Sequence, residues 1–250
     1  MRRWSVLLAV VAAGCSGPSE PKKAETPAQP AYFQPDPASA ATITGKVSFA
    51  GKKPARKPIN MAGEEAECLR LHKSKPMEED VVVNDNGTLA NVFVHVKAGL
   101  EGKQFAAPES KVRIDQAGCT FVPRVFGVRA GQGIEVVNSD PVSHNIHPIP
   151  KNNREWNQQQ SPGAEPLERE FARAEVMIPV KCNIHSWMKS WIGVMDHPYF
   201  AVTGPEGAFE LLNLPPGEYM VGAWHEVFGA QEQKVKLAPS ASASVDFSFK

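Results

Sequence analysis

The chain has 250 residues, 42% of them hydrophobic, and its 27 Lys and Arg balance 27 Asp and Glu, so the formal net charge is zero. That balance leaves no net positive charge for nucleic acid, which is excluded as the expected partner. The length suffices for one large or two small globular domains, and two are expected.

At the start, Met1-Arg2-Arg3 precedes an apolar run from Trp4 to Ala13, followed by Gly14-Cys15-Ser16. A basic start, a short apolar core and small residues before a cysteine read as an export signal, too short to span a bilayer permanently. Ala12-Ala13-Gly14-Cys15 resembles a bacterial lipobox, with Ala12 where such signals usually carry Leu. The resemblance implies lipidation of Cys15 and a chain anchored to a membrane in the periplasm or cell envelope, with Ser16 pointing to the outer membrane. Ordinary signal cleavage near Gly14 is the alternative. Residues 16 to 41 scatter Pro18, Pro21, Pro27, Pro30, Pro35 and Pro37 among Ser, Glu, Lys and Gln. Such a composition extends instead of packing, and a tether is expected there.

From residue 42 the chain repeats short β-prone runs broken by Gly, Pro and Asn. They are Thr42 to Phe49, Asn91 to Lys97, Lys111 to Ile114, Thr120 to Val128, Gly133 to Asn138 and Glu170 to Lys181. Others follow at Trp191 to Met195, Phe200 to Thr203, Phe209 to Leu212, Tyr219 to His225, Gln233 to Leu237 and Ala243 to Phe249. This pattern predicts an all-β fold, a sandwich or Greek-key barrel. Asn86-Gly87 and Pro216-Gly217 read as tight turns in which glycine supplies a positive φ. Only Gly63 to Lys73 reads as helical.

The chemistry concentrates in Cys182-Asn-Ile-His185-Ser-Trp-Met188 and in His144-Asn145 upstream. One thiolate, two imidazoles and one thioether suit a copper ion that changes oxidation state. Period two places Val176, Ile178, Val180 and Cys182 on one strand face and Met177, Pro179 and Lys181 on the other, so that Cys182 enters the interior at the strand's end. Pro179 then needs an edge or a bulge for its missing donor. Nothing near Cys182 and His185 supplies an orienting group or oxyanion motif, so no nucleophile pair and no enzymatic activity are expected. One thiolate with a methionine does not suit zinc. With Cys15 assigned to lipid and Cys182 to metal, Cys68 and Cys119 remain as a candidate disulfide in an oxidising compartment. The alternative places Cys68 with His72 in a second metal site.

Two resemblances organise the strands. Phe121-Val-Pro-Arg124, Val128-Arg-Ala-Gly131, Asn138-Ser-Asp140, His144-Asn145 and the Cys182 to Met188 loop resemble a cupredoxin, with a loop spacing closest to the amicyanin-like members. The resemblance implies one type 1 copper ion held by His144, Cys182 and His185, with Met188 as a long axial ligand, Asn145 as a brace and His147 as a non-ligand. Ile43 to Val47, Gly51 to Pro54, Ala90 to Lys97, Gly207 to Leu211 and Leu214-Pro-Pro-Gly217-Glu-Tyr219 resemble a carboxypeptidase regulatory-like sandwich, in which the last segment closes a hairpin. Together they imply a signal at 1-15, a linker at 16-41, a discontinuous regulatory-like sandwich at 42-105 plus 198-250, and a cupredoxin domain at 106-197 inserted into it.

The function implied is that of a membrane-tethered carrier of single electrons between a donor and an acceptor redox protein. Copper storage or delivery, and a metal-free envelope binding module, are the alternatives. Trp187, Met188, Trp191 and Ile192 read as a water-poor shell, and an exposed Trp187 as a small docking patch. His95, His197 and His225 read as hydrogen-bonded structural residues, with a second metal site as the alternative.

Overall fold

The computed structural model describes residues 31–61 and 66–250; the signal, Cys15 and the tether up to residue 30 lie outside the described residues. In chain order the elements are β1 (Ala41–Phe49), α1 (Ala66–Arg70), β2 (Phe93–Ala98), β3 (Val112–Gln116), β4 (Phe121–Val122) and β5 (Val125–Arg129). Next come β6 (Ile134–Asn138), β7 (His144–Pro148), β8 (Gln158–Gln160), β9 (Leu167–Arg169), β10 (Glu175–Lys181) and β11 (Lys189–Met195). The last are β12 (Phe200–Val202), β13 (Ala208–Leu214), β14 (Gly217–His225), β15 (Gly229–Leu237), β16 (Ser242–Ser244) and β17 (Phe247–Phe249).

The fold is all-β. Strands up to Ala98 and from Phe200 onward form two sheets, one ordered β13-β1-β16 with β17 also paired to β1, the other β12-β2-β14-β15. Alternate residues of facing strands, Ile43, Val47, Leu211, Val94, Val221 and Phe247 among them, fill the space between, as the period of two requires. The intervening strands form two more sheets, β4-β3-β6-β9 and β5-β11-β10-β7-β8. Ile114, Val136, Ile146, Ile178, Val180 and Ile192 fill a second core between these.

Several local expectations are corrected. The Leu214 to Tyr219 segment closes no hairpin: β13 pairs with β1 while β14 pairs with β2 and β15, so the segment crosses between sheets. Pro215 and Pro216 have no N–H to offer a ladder, and the Tyr219 hydroxyl instead donates to the Pro215 carbonyl. Gly217 needs no positive φ; in that region Asn213 adopts it, at 59°. Of the expected helix, Gly63 to Lys73, the described residues show α1 over Ala66–Arg70 and a turn after it. The end of the expected tether is pinned to the fold, with Phe33 N–H donating to the Gln104 carbonyl at 2.6 Å and Ser240 N–H to the Ser39 carbonyl at 3.0 Å. Ile59, Met61 and Cys68, expected in the discontinuous outer half, pack into the second core instead.

The two halves meet through aromatic rings laid on glycines. Gly127 of β5 and Gly193 of β11 are register partners. A Cβ on Gly127 would lie 2.3 Å from the Phe200 ring, and one on Gly193 would lie 2.3 Å from the Phe93 ring. Those rings stack on each other with centroids 5.8 Å apart. Beside them Arg124 donates to Glu226 in a two-pronged ion pair at 2.9 and 2.7 Å. Gly193→Ala is therefore expected to lower the unfolding free energy by about 1–3 kcal/mol through overpacking. Denaturant unfolding measures this, and an unchanged midpoint would mean that the Phe93 ring moves aside freely.

Candidate metal centre

Cys182 follows β10 directly, and the chain must return to β11, whose Lys189 pairs with Lys181. Hydrogen bonds fold this loop on itself: Cys182 N–H donates to the Met188 carbonyl at 3.2 Å, and Met188 N–H to the His185 carbonyl at 3.0 Å. His144 opens β7, which runs beside β10 with His147 opposite Lys181. Neighbouring strands thus bring a residue about forty positions away to the Cys182 loop.

The expected face of β10 is only half right. Ile178, Val180 and Cys182 are buried, but Val176 is 45% exposed and Met177 is buried instead. A register shift between Glu175 and Ile178, with Met177 at φ 60°, inserts a bulge that exchanges the faces before Ile178. Pro179 does not lie in an edge strand, since β10 pairs with both β11 and β7. It sits between that bulge and the last β7 pairing, where its carbonyl accepts from Ile149 N–H at 2.9 Å.

His144, Cys182 and His185 offer ligand atoms within 4.8 Å of one another, all from buried residues. The two Nδ1 atoms are 2.9 Å apart, and Cys182 Sγ lies 3.8 Å from His185 Nδ1. Met188 is buried in the same apolar cluster as Cys182, and Trp187 packs against it. Asn145 braces the loop through its side-chain oxygen, which accepts from Asn183 N–H at 2.6 Å and lies 3.3 Å from Cys182 Sγ. His147 turns outward to Glu155 at 2.6 Å.

Asp140 has a role that sequence reasoning missed. Its carboxylate accepts from His144 Nε2–H at 2.8 Å and from the backbone N–H groups of Gly118 and Cys119 at 2.6 and 2.7 Å. A proton held on Nε2 leaves the Nδ1 lone pair for a metal, the arrangement that orients histidine ligands. The available sequence signal was an acid four residues before the histidine. Burial opposes charge on His144, but its bonds to Asp140 and Cys182 outweigh burial and raise its pKa. Burial likewise disfavours the Cys182 thiolate; hydrogen bonds from His144 and from the Asn145, His185 and Ile184 backbones outweigh it and lower the thiol pKa. The donor set fits copper: a thiol biased toward thiolate and two imidazole nitrogens converge in a water-poor pocket.

Cys68 and Cys119 form a disulfide, and His72 Nε2 bonds to the Gly118 carbonyl at 2.8 Å. Both observations go against a Cys68 and His72 metal site. His197 Nε2 donates to the Val96 carbonyl at 2.8 Å, and its Nδ1 accepts from Tyr199 N–H. His225 Nδ1 accepts from the Val227 and Phe228 N–H groups. Burial, with His197 close by, lowers the His95 pKa to about 4, and burial beside Arg124 lowers that of His225 to about 4. His197 and His225 are thus held by backbone hydrogen bonds as expected, whereas the buried His95 Nδ1 has no hydrogen-bond partner, and no metal-ligating group of three among the described residues includes any of them. Trp187 is partly buried rather than fully exposed, and its indole N–H donates to the Cys119 carbonyl at 2.9 Å.

No family model matches the chain, and no curated protein does. Solved structures resemble part of it. A copper-containing nitrite reductase from Thermus scotoductus SA-01 is 21% identical over 39% of this chain and 25% of that one, with a TM-score of 0.33. A purple cupredoxin from Nitrosopumilus maritimus is 21% identical over 33% of this chain and 98% of its own, at 0.28. Amicyanin from Paracoccus versutus is 17% identical over 40% of this chain and 96% of its own, at 0.30. The chain thus spans a quarter of the nitrite reductase's length. Cupredoxins are among its structural neighbours, and what copper does in them is a property of those proteins.

Asp140→Asn is expected to weaken Cu(II) binding roughly 10–100-fold, read by competition with a chelator; unchanged affinity would reduce Asp140 to a loop clamp. A second outcome concerns pH. An imidazole with a lowered folded pKa takes up its proton more readily when unfolded, so stability falls as pH drops from about 6.5 toward 4, by on the order of 3 kcal/mol for each of His95 and His225. His225→Asn, whose amide oxygen accepts the same backbone bonds, should flatten the decline of thermal midpoint with acid. An equally steep decline would contradict this origin.

Proposed function

We propose that this protein binds one copper ion of the type 1 class through His144, Cys182 and His185, with Met188 as the weak fourth contact, and carries single electrons between redox proteins. The observation that carries the reading is the convergence of two imidazole Nδ1 atoms and one thiol, each oriented by a separate hydrogen bond or loop. Copper bound there would gain and lose one electron. The chain's own residues fix the donors: Asp140 orients His144, Asn145 ties the Cys182 loop to β7, and the apolar cluster around Met188 keeps water out. A soft thiolate and a weak thioether suit both oxidation states, which keeps rearrangement small.

The N-terminal pattern supports an exported chain tethered by lipid at Cys15, facing the periplasm or cell envelope, and the regulatory-like sandwich would position the metal-binding half. No enzymatic role is proposed. Full burial of His144 and His185 and near-full burial of Cys182 favour retention of the ion over its storage and delivery to another protein.

Cys182→Ser should abolish the intense visible charge-transfer absorption of the copper-loaded protein with far-ultraviolet circular dichroism unchanged. Met188→Leu should keep copper yet raise the reduction potential, read by voltammetry. Retention of the absorption band in the serine variant would sink the assignment.

A further inference from the structure

The structure assigns to the Cys68–Cys119 disulfide a role at the metal site: it holds α1 as a seal over His185, so that access to the ion depends on this bond. The inference rests on the copper reading only for what lies beneath the seal. His185 is fully buried. Cys68 Sγ lies 3.7 Å from its Nε2, on the ring edge opposite the nitrogen that meets Cys182 and His144. The Trp187 ring covers another side, with centroids 5.2 Å apart. In α1, Cys68 is buried while Ala66, Leu69 and Arg70 are exposed. Cys68, the buried residue of this helix, thus covers the Nε2 edge of the imidazole.

The described part of α1 is five residues long and short helices do not persist by their own propensity, so α1 is kept in place by what anchors it. Its anchors among the described residues include the disulfide, which joins positions 51 residues apart, and the bond from His72 to the Gly118 carbonyl. The far side of the disulfide is wired to the ligands. Cys119 N–H donates to Asp140, which holds His144, and the Cys119 carbonyl accepts from Trp187. Movement of residues 118 and 119 would therefore reach both histidines, and a partner or chelator approaching the Nε2 edge of His185 meets Cys68.

Two measurements on the full chain test this. In the metal-free protein, carbethoxylation located by mass spectrometry should spare His185 while the disulfide is intact, and modify it about tenfold faster or more after reduction by a small dithiol, as local opening requires. His147, partly exposed, should react in both states and serves as the internal standard. In the copper-loaded protein, a Cys68→Ala/Cys119→Ala variant should keep the charge-transfer band but release copper to a chelator roughly tenfold faster. Equal labelling of His185 before and after reduction, or equal release rates, would overturn the seal. Should neither protein bind copper, the copper reading fails, and the labelling still decides whether α1 seals His185. Should the double variant not fold, labelling of the reduced natural chain decides.

Discussion

The site depends on one buried carboxylate. Asp140 sits at the end of the β6 connection, where Asn138 accepts its N–H, and gathers three donors: His144 Nε2–H and the N–H groups of Gly118 and Cys119. Taking a carboxylate from water costs several kcal/mol unless it is paired and bonded, so each donor is bound to its place as firmly as Asp140 is. Burial raises the Asp140 pKa and these bonds lower it further than burial raises it, leaving the carboxylate ionised. One imidazole, one strand turn and one half of the disulfide are fixed together in this way.

A second constraint sets the frame around it. β5 and β11 lie in the sheet that carries the Cys182 loop, and their paired glycines let Phe93 and Phe200 of the other half lie flat on them. The outer sheets therefore touch the same strand that closes the ligand loop. A rigid neighbour on that face limits how far the loop can relax, and donors held in place reorganise little when charge changes.

Much of this was legible in the sequence because the signals were local. Alternating apolar residues disclosed most strands, and the spacing from Cys182 to Met188 disclosed a loop whose side chains can converge. Pairing between distant strands was less legible. Leu214 to Tyr219 looks like a hairpin by its turn residues, yet its two prolines deny it a ladder and send it across the sandwich. The bulge at Met177 exchanged the faces of β10, which strict alternation cannot foresee. β7, β8 and β9 escaped notice because His144 to Pro148, Gln158 to Gln160 and Leu167 to Arg169 are short and polar, and gain their strand geometry from neighbours. Asp140 was visible only as a residue at a fixed offset, since a hydrogen bond to an imidazole leaves no periodicity. The closeness of Cys68 to His185 had no signal at all, because it joins segments 117 residues apart.

The central claim is that two imidazoles and one thiolate of this chain hold a single copper ion in an electron-transfer geometry. Its most direct test is the visible absorption and electron-spin-resonance spectrum of the purified protein titrated with Cu(II), before and after ascorbate. The account predicts an intense visible band with narrow copper hyperfine splitting that saturates at one ion per chain and bleaches reversibly. A colourless protein, or one that binds no copper in stoichiometric amount, would contradict it.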